Sequence, residues 1–372
     1  MTYHGLRVAF LCSADSFRGS AVSLQHLAHG LEARSAVVRM LTGHAAVTEP
    51  LRAEGIDVVQ LDLRSTNLRA AWRLRRELRA FDAEVLLVDR PRDLRLGLLA
   101  TIGTKVALVS RYNSHAPSPP RDFLTRLAYR LRVRDTVFLT HEMAKRILAM
   151  APWMRRAAHR VIPEGVCLDA FRRDAALAAE FRARHALGDA PFVLTVGALR
   201  PEKRIDMIID AMHRLSDAPT LVVCGEGPLL DAYHRVAALL NVKVRFLGRV
   251  SRTELRGAYS AASVVAHACA VETFGLSVLE AMACGAPVVG VRAGGLRELV
   301  GDDADGAGVL VAHDDVDAMR NAIDEVLHDA VLAASLGDKA CQRAAKYFAL
   351  DRMADGYERV VLAAYTRRAV ST

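Results

Sequence analysis

Short runs of Val, Ile and Leu recur along this chain, and nearly every one is followed by a stretch with helical spacing. The first half holds LRVAFLCSA, IDVVQLDL, AEVLLVDR and TKVALVSRY, with AVSLQHLAHGLEA and similar stretches between them. A strand that is apolar on both sides must be covered on both sides, so such runs predict a parallel sheet between two layers of helices. The segment HRVIPEGVCLDAFRRD, with Pro163 and Gly165, interrupts the pattern. It restarts at PFVLTVGAL and continues through TLVVCGEG, VKVRFLGRV, ASVVAHACA and APVVGV. The alternation predicts two tandem doubly wound α/β domains with a boundary near residues 165–190. A chain of 372 residues, 52% hydrophobic, has the length and the apolar material for two cores. The closing stretch LDRMADGYERVVLAAYTRRAV reads as an amphipathic helix.

The N-terminus, MTYHGLRVAFLCSAD, lacks a basic segment followed by a long apolar one, and no later apolar run reaches the roughly 20 residues of a membrane span. The expectation is a cytoplasmic protein, or one held peripherally on the inner face of the cell membrane. The six cysteines are scattered with no C-x-x-C pair, which points to free buried thiols in a reducing compartment rather than to disulfides or a zinc site.

Charge is uneven. Residues 1–184 carry 30 Lys and Arg against 18 Asp and Glu, a net +12, while the remainder is −4. Two arginine-rich stretches, NLRAAWRLRRELRAF and RDFLTRLAYRLRVRD, read as basic amphipathic helices. Such helices suit an anionic membrane surface or a lipid-linked acceptor, and equally arise as solvated faces in an arginine-rich composition. Nucleic acid is not expected as a partner, because an aromatic content of 6% offers no stacking platform.

The stretch VETFGLSVLEAMACGAPVVGVRAGGLRELV, Val271 to Val300, concentrates the chemistry. SVLEAMACG reads as a helix starting near Leu276 and ending at Gly285, with Gly275 just before it. Gly294 and Gly295 precede a second helix start. A helix N-terminus offers unpaired N–H groups and partial positive charge, and glycine lets an anion approach the backbone. The amides at Gly275, Leu276 and Ser277 thus suit a diphosphate. Glu280, one turn into the helix, would repel phosphate but could accept two hydrogen bonds from ribose hydroxyls. Glu272, on the other side of the turn, could bind a sugar hydroxyl or sit near a reacting carbon. Taken alone, two glutamates at this spacing could be ordinary surface carboxylates.

The combined pattern E-x-x-G-x-x-x-x-E-A-M-A-C-G-x-P-V-V resembles the C-terminal signature of the retaining glycosyltransferases of family 4. That resemblance implies the GT-B architecture: two Rossmann-like doubly wound domains facing a central cleft. Residues 1–170 would bind the acceptor, joined by a crossover helix at about 352–372, and residues 185–350 would bind a nucleotide sugar. In VGALRPEKRID, Lys203 matches the family's basic motif, Ala198 stands where an arginine is usual, Arg200 could replace that charge, and Arg204 stands where glycine is common. VCGEGP matches the family's G-x-G-P turn, so Gly225 and Glu226 would line the donor site, and Val250 would pack against the base. His267 has no counterpart in the pattern and reads as a buried histidine rather than a catalytic one. The glycine loop after the first strand retains only Gly19, where Arg18, Gly19 and Ser20 could still touch the donor phosphate or sugar; it fails G-x-G-x-x-G, which argues against a nicotinamide enzyme. A histidine near the reacting sugar would correspond to Asn113 or His115 in LVSRYNSHAP, and Arg111 is a further candidate there. VIPEGVCLDAF has Glu164 where the family linker has Asn.

The implied reaction is transfer of a sugar from a UDP-, GDP- or ADP-sugar to an acceptor hydroxyl with retention of configuration. Lys203 and the helix amides would stabilise the departing diphosphate, and Glu272 would position the sugar. No cofactor and no essential metal are expected. The acceptor would be a glycan or lipid-linked acceptor in cell-envelope polysaccharide, lipopolysaccharide or glycolipid synthesis. The alternatives are a non-catalytic GT-B protein that binds a nucleotide sugar or a partner, and a GT-B epimerase or phosphorylase.

Overall fold

A computed structural model describes residues 5–17, 19–63, 66–113, 119–217, 219–301 and 306–369. The chain forms two compact units, Met1–Gly165 with Leu350–Thr372, and Val166–Ala349. In the first unit seven strands form one sheet: β1 (Arg7–Cys12), β2 (Val37–Thr42), β3 (Val58–Gln60), β4 (Val85–Val88), β5 (Ala107–Tyr112), β6 (Val133–Phe138) and β7 (Ala158–Val161). Their order is β3-β2-β1-β4-β5-β6-β7, and the pairings are parallel, with Val8 opposite Val38 on one side and Val85 on the other. The central strands β4 and β5 are buried throughout, as a sheet covered on both faces requires, whereas the edge strand β3 is partly exposed.

The second unit has six strands: β8 (Phe192–Val196), β9 (Thr220–Cys224), β10 (Val244–Gly248), β11 (Val264–His267), β12 (Val288–Val291) and β13 (Val309–Val311). They lie in the order β10-β9-β8-β11-β12-β13, again parallel. The strand order reverses between β8 and β11. Chains leaving their carboxyl ends part to opposite sides there, which is where open α/β sheets bind ligands.

The structure adds four strands to those read from the sequence: β2, β6, β7 and β13. One reading is corrected. RDFLTRLAYRLRVRD is not a single helix: the helix Phe123–Leu131 stops, and Val133 begins β6. Within β6, Asp135 is buried and is paired by Arg367.

Val166 pairs with Ala349, and the helix Ala175–Arg184 packs on the helix Arg252–Ala261, so both belong to the second unit. The helix Leu350–Ala369 returns to the first. Its Met353, Tyr357, Val360, Val361 and Ala364 enter the core formed by β1 and the helix Gly19–Glu32. The approach is close: a Cβ on Gly30 would stand 2.7 Å from that of Ala354.

Inside the first unit, Arg111 at the end of β5 is only 2% exposed. Its guanidinium pairs with Glu164 and donates to Ser23 Oγ at 2.6 Å, and it lies 3.4 Å from Asp89 Oδ1. Burial pushes the Asp89 carboxyl up to about 6, against the pull of Arg111. Glu164 thus serves as the counter-charge of a buried arginine. Arg111 is accordingly an internal cation.

Removing one partner of a buried pair leaves the other charge uncompensated. Arg111→Met is expected to lower the unfolding free energy by about 3 kcal/mol or more, with Arg111→Met/Glu164→Gln losing less than Arg111→Met alone. Both tryptophans, Trp72 and Trp153, lie in this unit, so the loss is read from its urea transition by tryptophan fluorescence. Equal losses in the two variants would refute the pairing.

Candidate functional site

The candidate residues of the second unit gather at the carboxyl ends of β8, β9 and β11. After β8 the chain turns through Gly197 to a short 3-10 turn, Pro201–Lys203, and then enters the helix Ile205–His213. Arg204, between them, adopts φ 47° and ψ 44°, a left-handed conformation that favours glycine. It is held by Asp206 and Asp314. Through this turn the Lys203 side chain lies back over Gly197, and Nζ donates to Glu272 Oε2 at 2.5 Å.

Glu272 comes from the loop after β11, and its backbone is seated by the two glycines after β12. Gly295 N–H donates to the Glu272 carbonyl at 2.9 Å. A Cβ on Gly294 would stand 2.2 Å from that carbonyl oxygen, and one on Gly295 would stand 2.5 Å from Phe274 Cα. Gly294 also has φ 54°. The Gly-Gly pair is therefore a backbone seat for the glutamate loop, and the helix that follows it, Leu296–Val300, spans five residues. Gly225, with φ 145°, has a similar duty: a Cβ there would stand 1.9 Å from the Gly197 carbonyl oxygen. It and Gly227 let the turn after β9 lie on the turn after β8, while the Glu226 side chain is exposed. Val250 is half-buried in the loop after β10, and Arg200 is exposed.

Burial alone would push the Glu272 carboxyl up. The His267 ring, 3.3 Å away, and the charge of Lys203 outweigh it, and hold the group well below the usual carboxylate range. Burial would likewise lower Lys203, but Glu272 raises it above its ordinary value. Both groups are thus charged at neutral pH. His267, 4% exposed, stands with Nε2 3.3 Å from Glu272 Oε2, and burial lowers its pKa.

Gly275, with φ 103°, turns the chain into the helix Leu276–Ala283, whose first residues Leu276 and Ser277 are half-buried. Cys284 follows, and then Gly285 at φ 71°. Glu280 is 7% exposed. Tyr259 Oη lies 3.4 Å from its Oε2, and Arg252 Nη2 lies 3.9 Å from its Oε1. Burial pushes this carboxyl up to about 7, with Arg252 and Tyr259 acting the other way. Two glutamates one helix entry apart are therefore opposite in character: Glu272 is firmly ionised, and Glu280 titrates near neutrality.

In the first unit Gly19 is exposed and begins the helix Gly19–Glu32. Asn113 follows β5 and lines a cavity with Asp89, Tyr112, Tyr129 and Trp153. His115 and Arg18 lie outside the described residues. Sequence reasoning missed Arg252 and Tyr259 as partners of Glu280. Their spacing of seven, two turns along one helix face, was the available signal. It also missed Cys269, two residues beyond His267. All six cysteines are free.

The family model for glycosyl transferases group 1 matches residues 178–343, and that for a glycosyl transferase 4-like domain matches residues 18–168. A GDP-mannose-dependent alpha-(1-6)-phosphatidylinositol monomannoside mannosyltransferase of Mycolicibacterium smegmatis is 36% identical over 208 residues, 52% of this chain and 52% of that protein. A D-inositol 3-phosphate glycosyltransferase of Mycobacterium avium is 35% identical over 216 residues, 56% of this chain and 49% of that protein. The chain spans about half the length of these curated relatives. Among solved structures, Anabaena HepE in complex with UDP and glucose has a TM-score of 0.82 at 18% identity, covering 96% of this chain and 100% of that one. A glycosyltransferase from Rickettsia africae has a TM-score of 0.85 at 16% identity, covering 97% and 99%. These two share the fold. With each of its halves matched by a family model and nearly its whole length following the same two-domain α/β course, the chain belongs to the group 1 glycosyltransferases, and its architecture is GT-B.

Proposed function

We propose that this chain is a retaining glycosyltransferase that moves a sugar from a nucleotide diphosphate sugar to an acceptor hydroxyl in glycolipid or cell-envelope polysaccharide synthesis. The observation that carries the reading is the ion pair of Lys203 and Glu272 at the switch point of the second sheet, with the helix entry at Gly275 following in the same loop. The donor's diphosphate takes the Lys203 ammonium and the amides of Gly275, Leu276 and Ser277. That releases Glu272 to accept hydrogen bonds from the sugar. As the bond from the sugar carbon to the phosphate oxygen breaks, the carbon becomes oxocarbenium-like and negative charge grows on the diphosphate. Lys203 and the amides stabilise that charge. The acceptor oxygen attacks from the face the phosphate leaves, and its proton passes to the phosphate oxygen, so configuration is retained. Glu280 holds the ribose, Gly225 and Glu226 line the donor site with Arg200 near its phosphates, and Val250 packs against the base. Gly19 is assigned to the donor phosphate or sugar, and Asn113 or His115 to the reacting sugar. No metal is needed for this chemistry.

The curated relatives are named for GDP-mannose and phosphatidylinositol monomannoside or for inositol 3-phosphate, which favours a GDP-sugar and a lipid-linked or inositol-type acceptor. A membrane-facing role draws support from the helix Leu68–Ala80. Leu68 is 77% and Trp72 61% exposed beside Arg69, Arg73, Arg76 and Arg79. Aromatic and aliphatic side chains among arginines suit an anionic inner leaflet. Among the described residues no helix is long and apolar enough to cross a membrane.

Calorimetric titration of UDP-, GDP- and ADP-sugars should find one donor class that binds, weakened at least about tenfold by Lys203→Ala and by Glu280→Ala. Glu272→Gln should lower kcat by about a hundredfold with a smaller change in KM. Failure of every donor to bind would favour a non-catalytic GT-B protein, with Ala198 in place of the usual arginine as the first suspect.

Glu280 gives the pH dependence. Ribose hydroxyls donate to the ionised carboxylate, so donor binding expels the proton that the free protein holds below about 7. Affinity should rise with pH, by up to about tenfold per unit, and level off above about 7. Glu280→Gln should flatten the profile. A wild-type profile that falls over this range would overturn the ribose assignment.

A further inference from the structure

The loop that delivers Glu272 also carries His267 and Cys269, neither of which sugar transfer requires. His267 closes β11, and Cys269 follows at the two-residue spacing that repeats a strand's side. Glu272 returns beside them. One ligand atom from each of His267, Cys269 and Glu272 lies within 4.8 Å of the others. A second observation is independent of that clustering. His267 Nε2 is buried and has no well-formed hydrogen bond among the described residues, although it stands 3.3 Å from Glu272 Oε2. A buried ring nitrogen aimed at a carboxylate, with a thiol alongside, is an unfinished arrangement in hydrogen-bonding terms and a nearly finished one in coordination terms.

We infer that His267, Cys269 and Glu272 form a binding site for a zinc-class divalent cation. Imidazole nitrogen, thiolate sulfur and carboxylate oxygen are the mixed donor set of zinc and its neighbours, whereas magnesium and calcium take oxygen. Bond lengths of about 2.0–2.3 Å require the three atoms to close by about an ångström, which side-chain rotation supplies. The charges balance. The Cys269 Sγ–H bond breaks, its proton goes to the buffer, and the sulfur keeps the electron pair that it donates to the metal. Thiolate and carboxylate then offset the two positive charges, and the imidazole remains neutral. A solvent molecule completes the tetrahedron. The cation takes over the carboxylate that Lys203 now holds at 2.5 Å, so metal and ammonium compete for Glu272. The site itself stands on geometry. That its occupancy inhibits sugar transfer rests on the function proposed above.

The test is a Co²⁺ titration of the purified full chain. The expected result is a single equivalent bound, with a thiolate-to-cobalt charge-transfer band in the near ultraviolet that Zn²⁺ bleaches and Mg²⁺ leaves unchanged. Cys269→Ser should abolish the band, whereas Cys284→Ser and Cys341→Ser should keep it. His267→Gln should weaken Zn²⁺ binding at least about tenfold and serves as the second variant should Cys269→Ser misfold by circular dichroism. A titration without the band, or a band that survives Cys269→Ser, overturns the site. Donor titrations with and without Zn²⁺ separate the two readings. Metal binding without any donor binding leaves the site standing and removes the transferase reading. Donor binding indifferent to bound Zn²⁺ removes the competition at Glu272.

Discussion

Lys203 and Glu272 lie 69 residues apart in sequence and meet where two neighbouring parallel strands send their chains to opposite sides. Most of the irregular structure around them serves that meeting. The left-handed turn at Arg204 starts a helix while sending the lysine back over Gly197. The two glycines after β12 let a third loop press its backbone onto the Glu272 carbonyl. Gly225 and Gly227 let the turn after β9 lie on the loop that carries the lysine. Each glycine is needed because another backbone occupies the volume of a side chain, and each contact removes a direction in which the ion pair could relax. The result is a pair of opposite charges whose carrying loops are fixed by main-chain contacts. A ligand can then separate them without the surrounding loops having to reorganise.

The two glutamates of the signature show how position within a helix entry sets chemistry. Glu272 precedes the entry and faces a cation and a ring nitrogen. Glu280 is inside it, with a tyrosine hydroxyl and a distant guanidinium for company. The same functional group is thereby locked into its ionised form at one place and left near its titration midpoint at the other. A shared side-chain type, eight positions along, carries two separate duties.

Where burial alone decides the structure, the sequence was readable. VLLV and FVLTV could only be interior strands, and the helices between them followed from their spacing. Two of the four strands that escaped notice, β6 and β7, have compositions that conceal them. VRDTVF carries Asp135, whose counter-charge Arg367 lies far along the chain, and AHRV is half polar, with His159 and Arg160 exposed. The site divides in the same way. Lys203, Glu272 and Glu280 announce themselves through local pattern. The spacing of seven puts Arg252 and Tyr259 on one helix face, but that Glu280 meets that face, and that Glu164 meets Arg111, depends on contacts between separate elements. Arg111 looked like a candidate site residue and Glu164 like an isolated departure from the family pattern, and in three dimensions they are one ion pair.

The helix Leu350–Ala369 supplies core residues to the first unit although the whole second unit stands between them in the chain. Synthesis therefore runs against the numbering of the domains. When the ribosome has finished Ala349, the second unit has every residue it needs, while the first still lacks the side chains that cover one face of its sheet. The nascent first half must wait, partly open and strongly basic, until the final helix emerges. The half that was begun first is completed last.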